Sequence, residues 1–324
     1  MTKTILRVED LRTHFFTRRG VVKAVEAVNF TLDEGETLGL VGESGCGKTV
    51  TCLSILRLVP KPAGRIVSGR ILLDGEDLVQ KSEREIAKVR GKRVSIIMQD
   101  PMTSLNPVFS IGNQVGEAIS IHQRLRGRKL IDRVREMLGL VSIPSPEVRM
   151  REYPHQMSGG MRQRIVGAMA VSCQPKVLIA DEPTTSLDVT IQAQYLRLLK
   201  EVQKEVGVSI IFITHDFGIV AKMCDRVAVM YAGKIVESAE ARELFSEPKH
   251  PYTVALLRSL PKVETRVDRL FSIEGQPPDL VDLPPGCSFA PRCSEVTERC
   301  KLGVSPPQVV INNNHDVSCW LAAS

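Results

Sequence analysis

Apolar and polar positions alternate along residues 5–35, the period of strands with one buried face, and a turn at 17–20 divides them. Residues 36–41 read as a buried strand that runs straight into a glycine-rich loop, and 49–58 as the helix that follows. Residues 65–75 and 93–98 read as strands again. Helical periodicity covers 111–140, with a polar, basic stretch at 124–129. A second helix is expected over 158–171, with Ser158 as its cap. Residues 177–180 and 208–214 are short, apolar and β-branched, the pattern of parallel strands buried on both faces. Residues 226–231 read as another strand.

Beyond about residue 240 the texture changes. Prolines stand at 248, 251, 261, 277, 278, 284, 285, 291, 306 and 307. This predicts a loop-rich appendage rather than more of the same sheet, with a boundary near 245. The chain has 324 residues, enough for one large α/β domain and an added module, here 1–245 and 246–324. No internal repeat or low-complexity tract is visible.

Composition narrows the picture a little. Hydrophobic residues make up 43%, so a sizeable core is available. Aromatics are only 4%, which argues against a base-stacking surface for single-stranded nucleic acid. A net charge of +6 fits an ordinary solvated surface, a nucleotide-binding protein or a protein held at an anionic membrane face, and does not separate them. Residues 1–7 lack the apolar stretch of a signal peptide, and the densest apolar run, 208–214, is too short to span a bilayer.

The strongest chemical signal is Gly42-Glu43-Ser44-Gly45-Cys46-Gly47-Lys48-Thr49, which matches G-x-x-x-x-G-K-[ST] between an expected strand and an expected helix. Gly42, Gly45 and Gly47 let the chain wrap a phosphate with its own amides, Ser44 and Cys46 included. The helix that follows points its positive end at the anion. Lys48 supplies a cation for the β- and γ-phosphates, and the Thr49 hydroxyl suits Mg²⁺. The strand 177–180 then ends in Asp181 and Glu182, where ligands bind in doubly wound sheets. Asp181 would join the Mg²⁺ shell, and Glu182 would polarise the attacking water.

Over residues 5–240 these motifs, in this order, resemble the ABC ATPases. Ser158-Gly159-Gly160, followed by Met161-Arg162-Gln163-Arg164, is similar to the family's signature motif. The resemblance implies that it binds the γ-phosphate held by a second subunit, so that ATP is sandwiched between two chains. Gln99 is similar to the Q-loop glutamine, which senses Mg²⁺ and couples to the membrane subunits. Ser186-Leu187-Asp188 resembles the D-loop at the dimer interface. His215 resembles the switch histidine that contacts the γ-phosphate, and Phe15, with Phe16 beside it, is similar in position to the adenine-stacking aromatic.

Met161 departs from the commonest signature. With Gln99-Asp100-Pro101-Met102-Thr103-Ser104-Leu105-Asn106-Pro107 and His250-Pro251-Tyr252, it resembles the oligopeptide and dipeptide importers, a branch that includes nickel importers. The resemblance implies an α/β, RecA-like P-loop NTPase core with an antiparallel β-subdomain, a helical insert at about 100–172 and a small loop-rich C-terminal extension. It implies ATP hydrolysis with Mg²⁺, coupled to import of di- and oligopeptides. The implied partners are a second ABC ATPase subunit, identical or not, two transmembrane permeases and an extracytoplasmic peptide-binding protein. No nucleic acid is expected, and the implied place is the cytoplasmic face of the membrane. A soluble ABC ATPase of translation or DNA repair would carry two cassettes or a long coiled coil, and neither is visible. A non-catalytic cassette is disfavoured because Lys48, Asp181, Glu182 and His215 are all present.

Eight cysteines complete the inventory. Cys46, Cys52, Cys173 and Cys224 read as small buried apolar residues. Cys287, Cys293, Cys300 and Cys319, spaced x5, x6 and x18, cluster in the appendage. Four thiolates in a loop-rich segment suit Zn²⁺ or an iron–sulfur cluster, although neither usual spacing is present. Free or redox-active thiols are the third reading. The long intervals resemble the [4Fe-4S] site of some dipeptide-importer ATPases.

Overall fold

The structure is a computed structural model that describes residues 3–99, 103–185, 187–260, 271–312 and 314–323. Asp100, Pro101 and Met102 of the Q-loop stretch, Ser186 of the D-loop stretch and Pro261 lie outside the described residues. Two compact units are formed by non-contiguous stretches: Met1–Leu6, Leu32–Thr37 and Gln80–Ile213 make one, and Arg7–Thr31, Leu38–Val79 and Thr214–Ser324 the other.

In the first unit the strands Val94–Ile97, Val177–Asp181 and Ser209–Ile213 lie parallel. Val94 stands opposite Val177, and Val177 opposite Ser209. The last two strands are buried along their whole length, as their unbroken apolar runs demand. Helices Ile111–Gln123, Gly127–Leu140 and Gly159–Val171 pack on one another. The continuous helical period over 111–140 is thus divided in two. Arg124 turns left-handed at φ 58° and Gly127 at φ 58°, so the polar stretch is a break and not a helical face.

A four-stranded sheet runs in the order Gly20–Asp33, Thr4–Thr17, Gly64–Leu73, Glu76–Asp77, the last two pairing antiparallel within the second unit. The second unit also holds Thr37–Val41, which pairs parallel with Arg226–Tyr231 from Leu38 onward. Arg226–Tyr231 pairs antiparallel with Lys234–Glu240. The appendage departs from expectation here, because two of its segments continue this sheet: His315–Ser318 pairs antiparallel with Lys234–Glu240, and Gln308–Asn312 with His315–Ser318. Strands of four and five residues are too short for an alternating pattern to stand out from loop sequence.

A buried polar knot ties the appendage down. Glu237, 1% exposed, accepts hydrogen bonds from the backbone N–H groups of Lys249 (2.6 Å) and His250 (3.0 Å). Both ring nitrogens of buried His315 face carboxylates, Nε2 toward Glu237 and Nδ1 toward Glu243, each at 2.8 Å. Burying these groups would be costly without partners, and each has one.

Candidate active site

In the second unit the strand Thr37–Val41 delivers the chain to residues 42–47, and helix Lys48–Ile55 carries it away. Two glycines are obligatory here. At Gly42 (φ 148°) an added Cβ would lie 2.2 Å from the Met230 carbonyl, and at Gly47 (φ 109°) 2.3 Å from that of Ala24. The loop is pressed against neighbouring backbone on both sides of its turn, so only residues without a side chain fit. Lys48 is buried, and its ammonium donates to the carbonyls of Gly42 (2.8 Å) and Glu43 (2.9 Å). Gly47 caps the helix without a side chain, which keeps the first amides of the helix clear of any side-chain acceptor. Cys46 behaves as expected for a buried apolar residue, with burial pushing its thiol up.

His215 also belongs to this unit. It is exposed at the end of the strand Ser209–Ile213, just before helix Phe217–Met223, which Asp216 caps through the N–H groups of Gly218 and Ile219. Phe15 is half-buried in the strand Thr4–Thr17. Phe16 is exposed, with the Arg65 guanidinium 5.4 Å from its ring centre.

The first unit holds the carboxylates. Asp181 is buried as the last residue of its strand. Glu182 then turns left-handed at φ 45°, a conformation that costs energy for a residue with a side chain. Its N–H donates to the Ile213 carbonyl at 3.0 Å. Its Oε2 accepts from Gln99 Nε2 at 3.2 Å and from Thr185 Oγ1 at 3.0 Å. Two residues singled out separately by sequence, Gln99 and Glu182, are therefore in direct contact.

Ser158 is exposed and caps helix Gly159–Val171, its Oγ accepting from Met161 N–H at 3.3 Å. Gly159 and Gly160 open that helix, and Gly160 has no room to spare, since a Cβ would lie 3.1 Å from Ile191. Asp188 is exposed and caps helix Val189–Val206 through Ile191 N–H at 3.0 Å. Gln163 donates to the Pro183 carbonyl, tying the signature helix to the segment after the carboxylates.

Comparison with known proteins decides the family. The family profile "ABC transporter" matches residues 25–185. The dipeptide transport ATP-binding protein DppD of Bacillus subtilis (strain 168) is 50% identical over 98% of this chain and 94% of its own. The chain belongs to the ABC transporter family.

Within it, this ABC ATPase is an ATP-binding subunit of the dipeptide/oligopeptide branch. The profile "Oligopeptide/dipeptide transporter, C-terminal region" matches residues 236–300. The oligopeptide transport ATP-binding protein OppD of the same Bacillus strain is also 50% identical, over 98% of this chain and 88% of its own. Among solved structures, cbiO1 from Clostridium perfringens, part of the transporter complex cbiONQ, aligns with TM-score 0.65 at 30% identity. It covers 76% of this chain and 92% of that one. The dimeric post-hydrolysis cassette MJ0796, bound to ADP and Pi, has the same fold at TM-score 0.65 and 22% identity, covering 73% and 99%. Among the described residues no helix is long and apolar enough to cross a membrane.

Nothing among the described residues supports the metal expectation for the C-terminal thiols. Cys287, Cys293, Cys300 and Cys319 are neighbours, and Cys287 N–H donates to the Cys300 carbonyl at 2.9 Å. Yet the described residues contain no group of three or more His, Cys, Asp or Glu side chains arranged to hold an ion. Burial, then the nearby thiols, pushes Cys293 up to about 11 and raises Cys287 as well.

Sequence reasoning also missed partners of the phosphate loop. Glu43 is held by Arg292 and Tyr252, more than two hundred positions away.

Proposed function

We propose that this ABC ATPase powers the import of di- and oligopeptides across the cytoplasmic membrane. The observation that carries this reading is its 50% identity, over nearly the whole chain, to ATP-binding proteins of dipeptide and oligopeptide transport. The nickel importers of the same branch and the soluble ABC ATPases are not favoured by these relatives.

In this reading Lys48 and the amides of residues 42–49 bind the ATP phosphates, and Phe15 stacks on adenine. Oxygen donors from Thr49, Asp181 and Gln99 suit Mg²⁺, which neutralises charge on the β- and γ-phosphates when bound. Glu182 polarises the attacking water, and His215 contacts the γ-phosphate. Ser158, Gly159 and Gly160 serve the nucleotide of a second ATPase subunit, and Asp188 lies at that interface. The exposure of Ser158 and Asp188 supports this. The remaining partners are two membrane permeases and an extracytoplasmic peptide-binding protein, with this subunit peripheral on the cytoplasmic face and residues 246–324 as its C-terminal extension. The finer reading of Cys287, Cys293, Cys300 and Cys319 as a [4Fe-4S] or Zn²⁺ site has one support, their mutual proximity.

The test is reconstitution of the chain with permeases and a binding protein of the same source, followed by uptake of labelled dipeptide, tetrapeptide and nickel. ATP-dependent peptide uptake is expected. Nickel uptake without peptide uptake overturns the substrate assignment.

A further inference from the structure

The loop 42–47 is gripped from outside by the C-terminal extension, and the grip converges on one residue. Arg292, whose side chain is 4% exposed, sends both terminal nitrogens to the two carboxylate oxygens of Glu43, at 2.7 and 3.0 Å. This fork is the strongest geometry available to an arginine–carboxylate pair and fixes direction as well as distance. The Tyr252 hydroxyl accepts the backbone N–H of Glu43 at 3.0 Å. Glu43 is therefore held at its side chain by one part of the extension and at its main chain by another.

The next link reaches the reacting machinery. The carbonyl of that same Glu43 accepts from the Lys48 ammonium at 2.9 Å. A shift of Glu43 thus moves an acceptor that positions the phosphate-binding lysine. It also moves the start of the run of amides that must face the phosphates. Pro277, Pro278 and Leu280 of the extension line one cavity of about 150 Å³ with Ser44, Gly45 and Cys46, so the loop's outer side is also covered by this segment.

The grip is itself braced. Tyr252 and Phe289 are fully buried, with ring centres 5.3 Å apart, and both pack on Tyr231, at 4.6 and 5.2 Å. Arg292 lies 5.8 Å from the Tyr231 ring centre and 6.0 Å from that of Phe289. It donates to the Tyr231 hydroxyl at 3.3 Å and, through Nε, to the Glu274 carbonyl at 3.0 Å. The contacts to Tyr231 and Glu274 hold this buried guanidinium in place from two further sides, which makes its pair with Glu43 a strut. The aromatic cluster joins strand Arg226–Tyr231 to helix Pro251–Arg258 and the turn Ala290–Arg292. Lys48 and the Cys46 N–H hold the Glu43 carbonyl from within the loop, and the two further groups that hold Glu43, Arg292 and Tyr252, come from the appendage.

We propose that Arg292 and Tyr252 are positioning residues for the phosphate loop, acting through Glu43, and that the C-terminal extension thereby sets the affinity of this subunit for ATP. The proposal rests on reading residues 42–49 as the phosphate-binding loop.

The experiment measures Mg–ATP dissociation constants and turnover on the full chain. Arg292→Ala is expected to weaken Mg–ATP binding about tenfold, the scale of one lost charge-assisted pair, with a smaller change in kcat at saturating ATP. Arg292→Lys, which keeps the charge but not the fork, should recover part of the loss. Glu43→Ala combined with Arg292→Ala should lose clearly less affinity than the sum of the two single losses, because the two act as one strut. Tyr252→Phe removes only the acceptor and should weaken binding several-fold, and it serves as the test if Arg292→Ala does not fold. Arg299→Ala is the control, because that guanidinium stacks on Trp320 at 4.0 Å and is expected to leave binding unchanged. Unchanged affinity in a folded Arg292→Ala or Tyr252→Phe overturns the proposal. So do strictly additive losses in the double variant, or an equal loss in Arg299→Ala. Lys48→Ala separates the two levels: normal Mg–ATP binding by this variant means that the loop reading itself fails, whatever Arg292 does.

Discussion

Gln99 Nε2 donates to Glu182 Oε2 at 3.2 Å across 83 positions of sequence. The amide and the carboxylate sit on loops that leave neighbouring parallel strands, Val94–Ile97 and Val177–Asp181. Parallel register brings the carboxyl ends of both strands to the same edge, so two polar residues placed just past those ends meet. The contact orients the Glu182 carboxylate, and Thr185 holds the same oxygen from the other side.

Glu182→Gln follows directly. The amide keeps the shape and can still pair with Gln99, but it polarises water poorly and accepts no proton. Turnover should fall by at least about a hundredfold, the usual scale for losing a general base, while Mg–ATP binding is retained. Steady-state phosphate release beside equilibrium nucleotide binding decides it. Near-normal hydrolysis would remove Glu182 from its role.

Ser158→Arg tests the sandwich. Ser158 is exposed and its hydroxyl caps its own helix, so a bulky cation there should leave nucleotide binding to the loop 42–49 intact. ATP-driven association should be blocked. Light-scattering mass with and without ATP, on a background that cannot hydrolyse, gives the answer. Normal dimer formation would contradict the two-chain arrangement.

His250 makes the fold acid-sensitive. Its Nδ1 accepts the Tyr252 N–H at 3.0 Å, so the buried ring is neutral, and burial lowers its pKa from 6.5 to about 4. Between those values the unfolded chain holds a proton that the folded chain does not. Stability therefore rises with pH across this window and is lost as pH falls through it, by up to roughly 3 kcal/mol in all. Urea midpoints at pH 7 and pH 5 should differ more for the native chain than for His250→Asn, which keeps an acceptor but does not titrate. Equal pH slopes would show that this ring contributes nothing.

The four C-terminal thiols have a colour test. If they gather a [4Fe-4S] cluster, protein purified without oxygen from lysis onward should be brown, with iron and acid-labile sulfide each near four per chain by the cluster's stoichiometry. Cys319→Ser should bleach it. One zinc per colourless chain favours the zinc alternative, and four freely reacting thiols with no metal dismiss both.

Much of the proposed catalytic apparatus could be read from the sequence because its chemistry demands contiguous residues. A loop that wraps phosphate with its own amides needs Gly42, Gly45, Gly47 and Lys48 at set intervals, and backbone conformation is decided within a few residues. The strand ending in Asp181 and Glu182 and the helix opened by Ser158 are local for the same reason. The division at Arg124 was less legible, since a polar run on a helical period can be a solvated face or a break, and only packing against helix Gly159–Val171 separates the two.

What the sequence by itself determined was the set of short-range devices: the loop, the caps, the buried strands and with them the family. Tertiary structure alone decided which distant residues serve those devices. Nothing local to Arg292 distinguishes it from the other members of a set of 43 lysines and arginines as the partner of Glu43. Nor does any spacing announce that His315 closes on Glu237, or that strands of four and five residues after so many prolines rejoin the sheet. The physical reason is range. Backbone geometry and helix capping act over three or four residues and leave a pattern in sequence, whereas a buried ion pair depends on the summed path of every element between its partners.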